Sequence, residues 1–372
     1  MTGSSPDVSD GRSDVPLAID GWRRGKRFKL VTSAGDSPML VPTGPSRRPA
    51  KTAPPPLLEL FGRFDRGEPP PRHLFDDRAL RAWLASLLFD GIVDARVAGV
   101  WSSGPEAAAL VEPHQGAEPI DDARDAIRLG ALHARRSMHR AVSRMYGFGR
   151  VPLTRRWLDR VGGGAREPFL TWCTALGGPR PAGWNPVAAE PGSPWQYWSR
   201  RASSALPESG LRFKVYVNCQ PDWLPVVLAA LFPVLAEAGV RVFKIAADAD
   251  AALRPDRVVI YVGSRDAVDR VALAVRRECA GVPHAALAFA ARIEPDGLLA
   301  WGLDPPAGVA MPGVQERSWR SWVCTRLAAA LAGLPPRTPL SEQVRLAGCR
   351  IALEGVDPRT WQPGADLQEE WE

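Results

Sequence analysis

Hydrophobic spacing along the chain changes character near Pro207. From Pro56 to Leu206 apolar positions recur at helical intervals. Leu57, Leu58, Leu60 and Phe61 open the stretch, and Leu80, Trp83, Leu84, Leu87 and Leu88 share one face of residues 78–89. A second helix is predicted over 120–146, with Asp121 and Asp122 in its first turn and arginines towards its end, as the helix dipole favours. Residues 177–198 are broken by Pro, Gly and Trp and read as an irregular connection. After Pro207, short β-branched runs alternate with amphipathic helices. Strands are predicted at 211–219, 240–246 and 257–262, with further strands at 285–293 and 298–302; helices are predicted at 223–238, 266–279 and 317–331. Residues 1–55 show no sustained period and read as a flexible basic tail. The expected organisation is that tail, a mainly helical domain at 56–206 and an α/β layered domain at 207–372, in the mixed α+β class.

Composition narrows the function classes. With 45% apolar and 24% charged side chains the chain can bury a substantial core. No run approaches the roughly 20 apolar residues of a membrane span, so a cytoplasmic location and no membrane partner are expected. Five cysteines (Cys173, Cys219, Cys279, Cys324, Cys349) form no CxxC pair and are expected as reduced, buried thiols. The formal charge of +6 favours acidic partners without choosing among them. Only five residues are lysine: Lys26, Lys29 and Lys51 near the N-terminus, then Lys214 and Lys244.

Those last two carry the candidate chemistry. In the strand at 211–219, alternation puts Arg212, Lys214, Tyr216 and Asn218 on one face. In the strand at 240–246, Lys244 shares its face with Val240 and Val242, a costly place for an ammonium without a partner or a function. The two strands, joined by one helix, are expected to be neighbours. Lysine is the basic residue whose pKa moves to where it acts as a general base, whereas guanidinium stays charged and serves as an anion clamp. The competing reading is that both lysines snorkel from edge strands. Arg254, Asp256 and Arg257 precede the third strand, which contains Tyr261; this turn can bind phosphate or be solvated. Arg326 lies on the last predicted helix. His133, His139 and His284 have neither metal-ligand spacing nor catalytic company and read as structural. No GxxxxGK[ST], strand-placed GxGxxG, HExxH or GxSxG motif occurs. The 14 tryptophans are not interleaved with a basic motif, so no nucleic-acid partner is expected.

At these residues the sequence resembles a known group. FKVYVN, a helix, VFKIA and then RPDRVVIYV are similar to the core of bacterial phosphothreonine lyases and lanthipeptide-synthetase lyase domains. They resemble more closely the Hop A effector family, whose relatives are stand-alone lyases of class V lanthipeptide and thioamitide pathways. Ser321 to Arg326 resembles that family's Ser-Phe-Gly-x-x-Arg, and the likeness spans roughly 207–332. It implies β-elimination of phosphate from phosphoserine or phosphothreonine, leaving a dehydroamino acid. Lys244 would be the α-proton base, Lys214 a phosphate or carbonyl contact, and Arg254, Arg257 and Arg326 the phosphate-binding arginines. Tyr216 stands where the phosphothreonine lyases carry an acid histidine, which puts the acid assignment in question.

The expected function is therefore a phosphoserine/phosphothreonine lyase acting on a ribosomally made precursor peptide, without metal or organic cofactor. A separate kinase would supply the phosphate and a cyclase would follow. The alternatives are a non-catalytic binding protein for a phosphorylated or acidic peptide, and an effector-like interaction protein. Residues 124–144 and the basic stretch 22–29 are candidate surfaces for an acidic leader peptide.

Overall fold

The N-terminal stretch expected as a tail supplies four strands, β1 (Ile19–Arg24), β2 (Phe28–Val31), β3 (Met39–Pro42) and β4 (Lys51–Thr52). Its basic residues are only partly tied down: Arg24, Lys26, Arg27 and Lys29 stay exposed, while others nearby are held. Trp22 stacks on Phe64 at 6.2 Å between ring centroids, Arg23 pairs with Asp94 at 3.0 Å, and Lys51 pairs with Asp90 at 2.7 Å. Arg23 and Lys51 thus meet carboxylates distant along the chain. The computed structural model describes residues 19–32, 37–43, 50–113, 119, 121–175, 183–187, 192–200, 211–306 and 318–371. The expected boundary at Pro207 lies outside these residues. Contacts divide the chain instead into Met1–Pro45 with Lys51–Gln115, and Ser46–Ala50 with Gly116–Glu372.

The first unit continues with α1 (Pro55–Asp65), α2 (His73–Asp76), α3 (Arg78–Asp90), β5 (Val93–Val97), β6 (Val100–Ser102) and α4 (Pro105–Val111). Asp77 caps α3 by accepting from the Leu80 amide, and Gly91, at φ 71°, ends it in the left-handed conformation that glycine tolerates. Strands order as β1-β5-β6 and β2-β3-β4 in two small antiparallel sheets.

In the second unit the single helix expected over 120–146 is two, α5 (Asp121–Ala134) and α6 (Met138–Tyr146), because Ser137 caps a new start by accepting from the Arg140 amide. Two short helices follow, α7 (Arg155–Arg160) and α8 (Arg166–Thr174), then β7 (Asn185–Val187) and β8 (Trp195–Ser199), both inside the expected irregular connection. Next come β9 (Phe213–Val217), a 3-10 turn at Pro221–Trp223, α9 (Leu224–Glu237), β10 (Val242–Ala246), α10 (Ala249–Ala252), β11 (Val258–Val262) and α11 (Arg265–Glu278). The chain ends with β12 (Ala291–Arg292), β13 (Leu299–Leu303), α12 (Trp319–Gly333), α13 (Leu340–Ala352) and α14 (Ala365–Trp371).

Seven strands form one antiparallel sheet ordered β12-β13-β9-β11-β10-β8-β7. The two lysine-bearing strands, expected as neighbours, are separated by β11. Helix α9 joins β9 to β10, and the chain then returns through α10 to set β11 in the gap between them. On one face Phe213, Val215, Phe243 and Ile245, each 2% exposed or less, belong to the core. Phe232 of α9 packs against Phe243 and Trp198 there, and α11 packs on β9. Elsewhere in the unit α12 packs on α5, α6, α13 and β13. Since β8 pairs with β10 and α5 packs on α12 and α13, residues 121–199 belong with the sheet rather than with a separate helical domain. All five cysteines are free and buried. Among the described residues no helix is long and apolar enough to cross a membrane.

Candidate functional site

Antiparallel register fixes which side chains meet. Lys244 on β10 is paired with Tyr197 on β8 and Val259 on β11; Val259 is paired with Tyr216 on β9, and Tyr216 with Ala300 on β13. Two residues along, Tyr261 faces Lys214. Directly opposed residues point to the same side of a sheet. Both lysines, three tyrosines and Val259 thus share one face, which the register of β11 creates.

Lys244 is half-buried. Its Nζ lies 4.1 Å from the Trp195 ring centroid and 5.8 Å from those of Tyr197 and Tyr261. Its neighbours are chiefly π faces and cations. Removal from water, followed by the Lys214 ammonium and Arg254, lowers its pKa from 10.5 to about 7, against the pull of Asp256 and Asp304. The free amine is therefore accessible near neutral pH, where an ordinary lysine is almost wholly protonated. Cation–π attraction from three rings holds the protonated form in place without neutralising it.

Lys214 is 6% exposed and forms an ion pair with Asp304, just after β13; its Nζ also lies 5.4 Å from the Tyr261 centroid. The ring of Tyr261 thus stands between the two lysines. Burial raises the Asp304 carboxyl even against the Lys214 ammonium.

Arg254 approaches from the turn before β11, its guanidinium 4.9 Å from the Trp195 centroid. Asp256 orients it by accepting from Nε at 3.0 Å and Nη2 at 3.2 Å. The same carboxylate accepts from Tyr146 Oη at 2.9 Å and pairs with Arg320 Nη1 at 3.3 Å. Although burial pushes Asp256 upward, Arg320 and Arg254 hold it well below the usual carboxylate range. Arg320, 1% exposed, also donates to the Ala288 carbonyl at 3.0 Å and the Tyr146 carbonyl at 2.7 Å, tying α12 and α6 to the turn. With Lys244 as the neutral amine, Lys214, Arg254 and Arg320 still outnumber the two carboxylates Asp256 and Asp304, a net positive charge that suits an anion such as a phosphate monoester.

Of the residues expected to act, Lys214, Tyr216, Lys244 and Arg254 come together. Arg257 does not serve as a phosphate clamp: it is 2% exposed and donates to the carbonyls of Ala252 and Cys219, so its guanidinium is consumed in holding the turn. Arg326 lies over the Trp322 ring at 5.2 Å. Arg320 is the α12 cation that meets Asp256, and six residues separate the two, about 120° apart around the helix. Tyr216 is 3% exposed and packs in an apolar cluster with Val259, Leu287, Ala290 and Ala300; burial, then Asp304, pushes its phenol well above 10. His284 is bound locally, its Nδ1 2.9 Å from the Val282 carbonyl.

Trp195, Tyr197, Tyr146, Asp304 and Arg320 were not singled out from sequence. The alternation of Trp195 and Tyr197 against Gln196 and Trp198 is a strand signal, but five residues among Pro and Gly are too few to stand out. Trp195 is held by Arg166, which donates to the carbonyls of Ser193 and Trp195, both at 3.1 Å, and to Gln196 Oε1 at 2.8 Å.

No protein-family model and no curated protein matches the chain. Among solved structures it is similar to the type III effector and phosphothreonine lyase OspF of Shigella flexneri, at 12% identity over 32% of this chain and 69% of that one, with a TM-score of 0.27. It is also similar to an effector protein of Pseudomonas syringae pv. tomato, at 12% identity over 67% and 98%, TM-score 0.40. For the plasmid virulence C protein of Salmonella the values are 11%, 55% and 99%, TM-score 0.30. Likenesses this remote leave the chemistry to be argued from the chain's own side chains.

Proposed function

We propose that this protein is a lyase that eliminates phosphate from phosphoserine or phosphothreonine in a peptide. The observation that carries the reading is the placement of Lys244 on the same sheet face as Lys214, its Nζ 4.1 Å from the Trp195 ring beside Arg254, where burial and the neighbouring cations lower its pKa to about 7. A base poised near neutrality, next to surplus fixed positive charge, is what proton abstraction from an anionic substrate requires. The neutral amine takes the α-proton. The C–H electron pair becomes the Cα=Cβ bond, the Cβ–O bond breaks, and its electrons leave with phosphate, so Lys244 ends protonated and the peptide gains a dehydroamino acid.

Lys214 and Arg254 hold the phosphate through departure, each oriented by its own carboxylate. The resemblance in sequence gives Tyr216 the acid role. A phenol well above 10 is a poor proton donor to phosphate, whose second pKa is about 6, so cationic stabilisation rather than Tyr216 carries departure in this proposal. The substrate would be a ribosomally made precursor peptide phosphorylated by a separate kinase, with a cyclase acting on the product; this context rests on the sequence resemblance.

Intact-mass analysis of a phosphothreonine peptide incubated with the protein tests the reading. A loss of about 98 Da with the wild type and none with Lys244→Ala is expected. Unchanged mass with both, while the phosphopeptide still binds in preference to its unphosphorylated form, would favour the non-catalytic phosphopeptide-binding reading, for which the burial of Tyr216 speaks.

A further inference from the structure

Outside the lysine cluster, the second unit contains a cavity of about 430 Å³. It shares a wall with the turn that carries Arg254. Within Arg254–Pro255–Asp256–Arg257, Arg254 and Asp256 serve the lysine site, whereas Pro255 and Arg257 line the cavity. Val151, Pro152, Pro221 and Leu253 supply further apolar wall. The wall is tied to the same turn: the Val151 amide donates to the Leu253 carbonyl at 3.0 Å, and Trp157 Nε1 donates to the Ala249 carbonyl at 2.9 Å. Arg160 pairs with Asp222 at 2.6 Å, joining α7 to the opposite wall. Arg156, also lining the cavity, is exposed.

We propose that this cavity is a substrate subsite that takes a large apolar side chain of the phosphopeptide, with a neighbouring carboxylate of the same peptide on Arg156. This rests on the lyase reading for its substrate, and it adds a sequence preference that the lysine cluster itself does not impose. The volume lies in the range of ligand pockets and exceeds any single side chain. Arg160 and Asp222, which also line the cavity, neutralise each other and Arg257 is spent on backbone carbonyls, so an apolar group suits the interior, while the exposed Arg156 selects for an acid beside it. Because one turn forms a wall of both sites, a single extended peptide spans them within about three residues of the phosphorylated position.

The test uses the full chain and fluorescein-labelled phosphothreonine peptides in which a Leu–Glu pair is scanned across the three positions on either side, each compared with Ala–Glu and Leu–Lys. Anisotropy gives binding and intact mass gives elimination. At one position Leu–Glu is expected to bind about tenfold or more tightly than Ala–Glu, the gain of burying a leucine side chain. Ala285→Trp, which fills the cavity from an exposed lining position, erases that preference. Arg156→Glu reverses the preference between Leu–Glu and Leu–Lys, and serves if the tryptophan variant does not fold. Elimination without any positional preference overturns the subsite and leaves the lyase standing. Preference lost in both variants, without elimination, overturns the lyase and keeps the subsite. Absence of both overturns both.

Discussion

Replacing Lys244 by methionine should raise stability at neutral pH while abolishing elimination. Its amine falls from 10.5 to about 7 on folding, chiefly by burial. Each unit is worth about 1.4 kcal/mol, so the shift corresponds to about 5 kcal/mol. The side chain keeps some exposure, so roughly 1–3 kcal/mol is the expected net cost of keeping lysine there. The sign follows from proton counting. Between about pH 7 and 10.5 the unfolded lysine binds a proton that the folded one does not, so wild-type stability rises with pH across that window. Above it both states are neutral and the penalty is gone; below about pH 7 both are charged and the penalty is at its full value. Methionine has similar volume and no charge to desolvate. Thermal unfolding of both proteins at several pH values is the assay. The variant should melt about 2–6 °C higher at pH 7, with the gap narrowing steadily towards pH 10. A variant less stable at pH 7, or a gap independent of pH, would refute the claim that Lys244 is a desolvated amine held for function.

Further outcomes follow from the same geometry. The kcat/KM for elimination should rise with pH through an inflection near about 7 and then level, because only the neutral amine abstracts a proton; a rate falling across that range would exclude Lys244 as the base. Lys214→Met removes a neighbouring cation and leaves the Asp304 carboxylate without its ion pair, so the inflection should move upward in a pH–rate profile. Arg320→Met removes the cation that shares Asp256 and ties α6 to α12, and should cost about 3–5 kcal/mol in urea unfolding, as expected for breaking a buried charge network. Tyr216→Phe should retain elimination within about tenfold, since general acid–base contributions removed outright typically cost 100-fold or more; a loss on that larger scale in a mass-based assay would return the acid role to the phenol.

What the sequence determined by itself was the local content of the second half and the identity of the unusual amines. β9, α9, β10, β11, α11 and α12 lie within a few residues of their expected spans, because β-branched alternation, the capping Ser264 and Ser318, and Gly239 at φ 76° are short-range signals. Two lysines among arginines were visible for the same reason: composition needs no contacts. The tertiary structure alone decided strand order. Nothing local tells β11 to enter between β9 and β10, yet that insertion places Tyr261 between the lysines and Val259 between Lys244 and Tyr216. It decided as well that β1 to β4 belong to a folded unit, since Arg23 and Lys51 find their carboxylates more than 30 residues away. Which arginine serves the site was also settled by packing. Arg257 and Arg254 sit three residues apart in one turn, but one guanidinium is spent on backbone carbonyls and the other is turned by Asp256 towards Trp195. The pKa of Lys244 is the last such property, because it sums over every group that displaces water or carries charge nearby, and those groups come from β8, β9, β11, the end of β13 and the turn before β11.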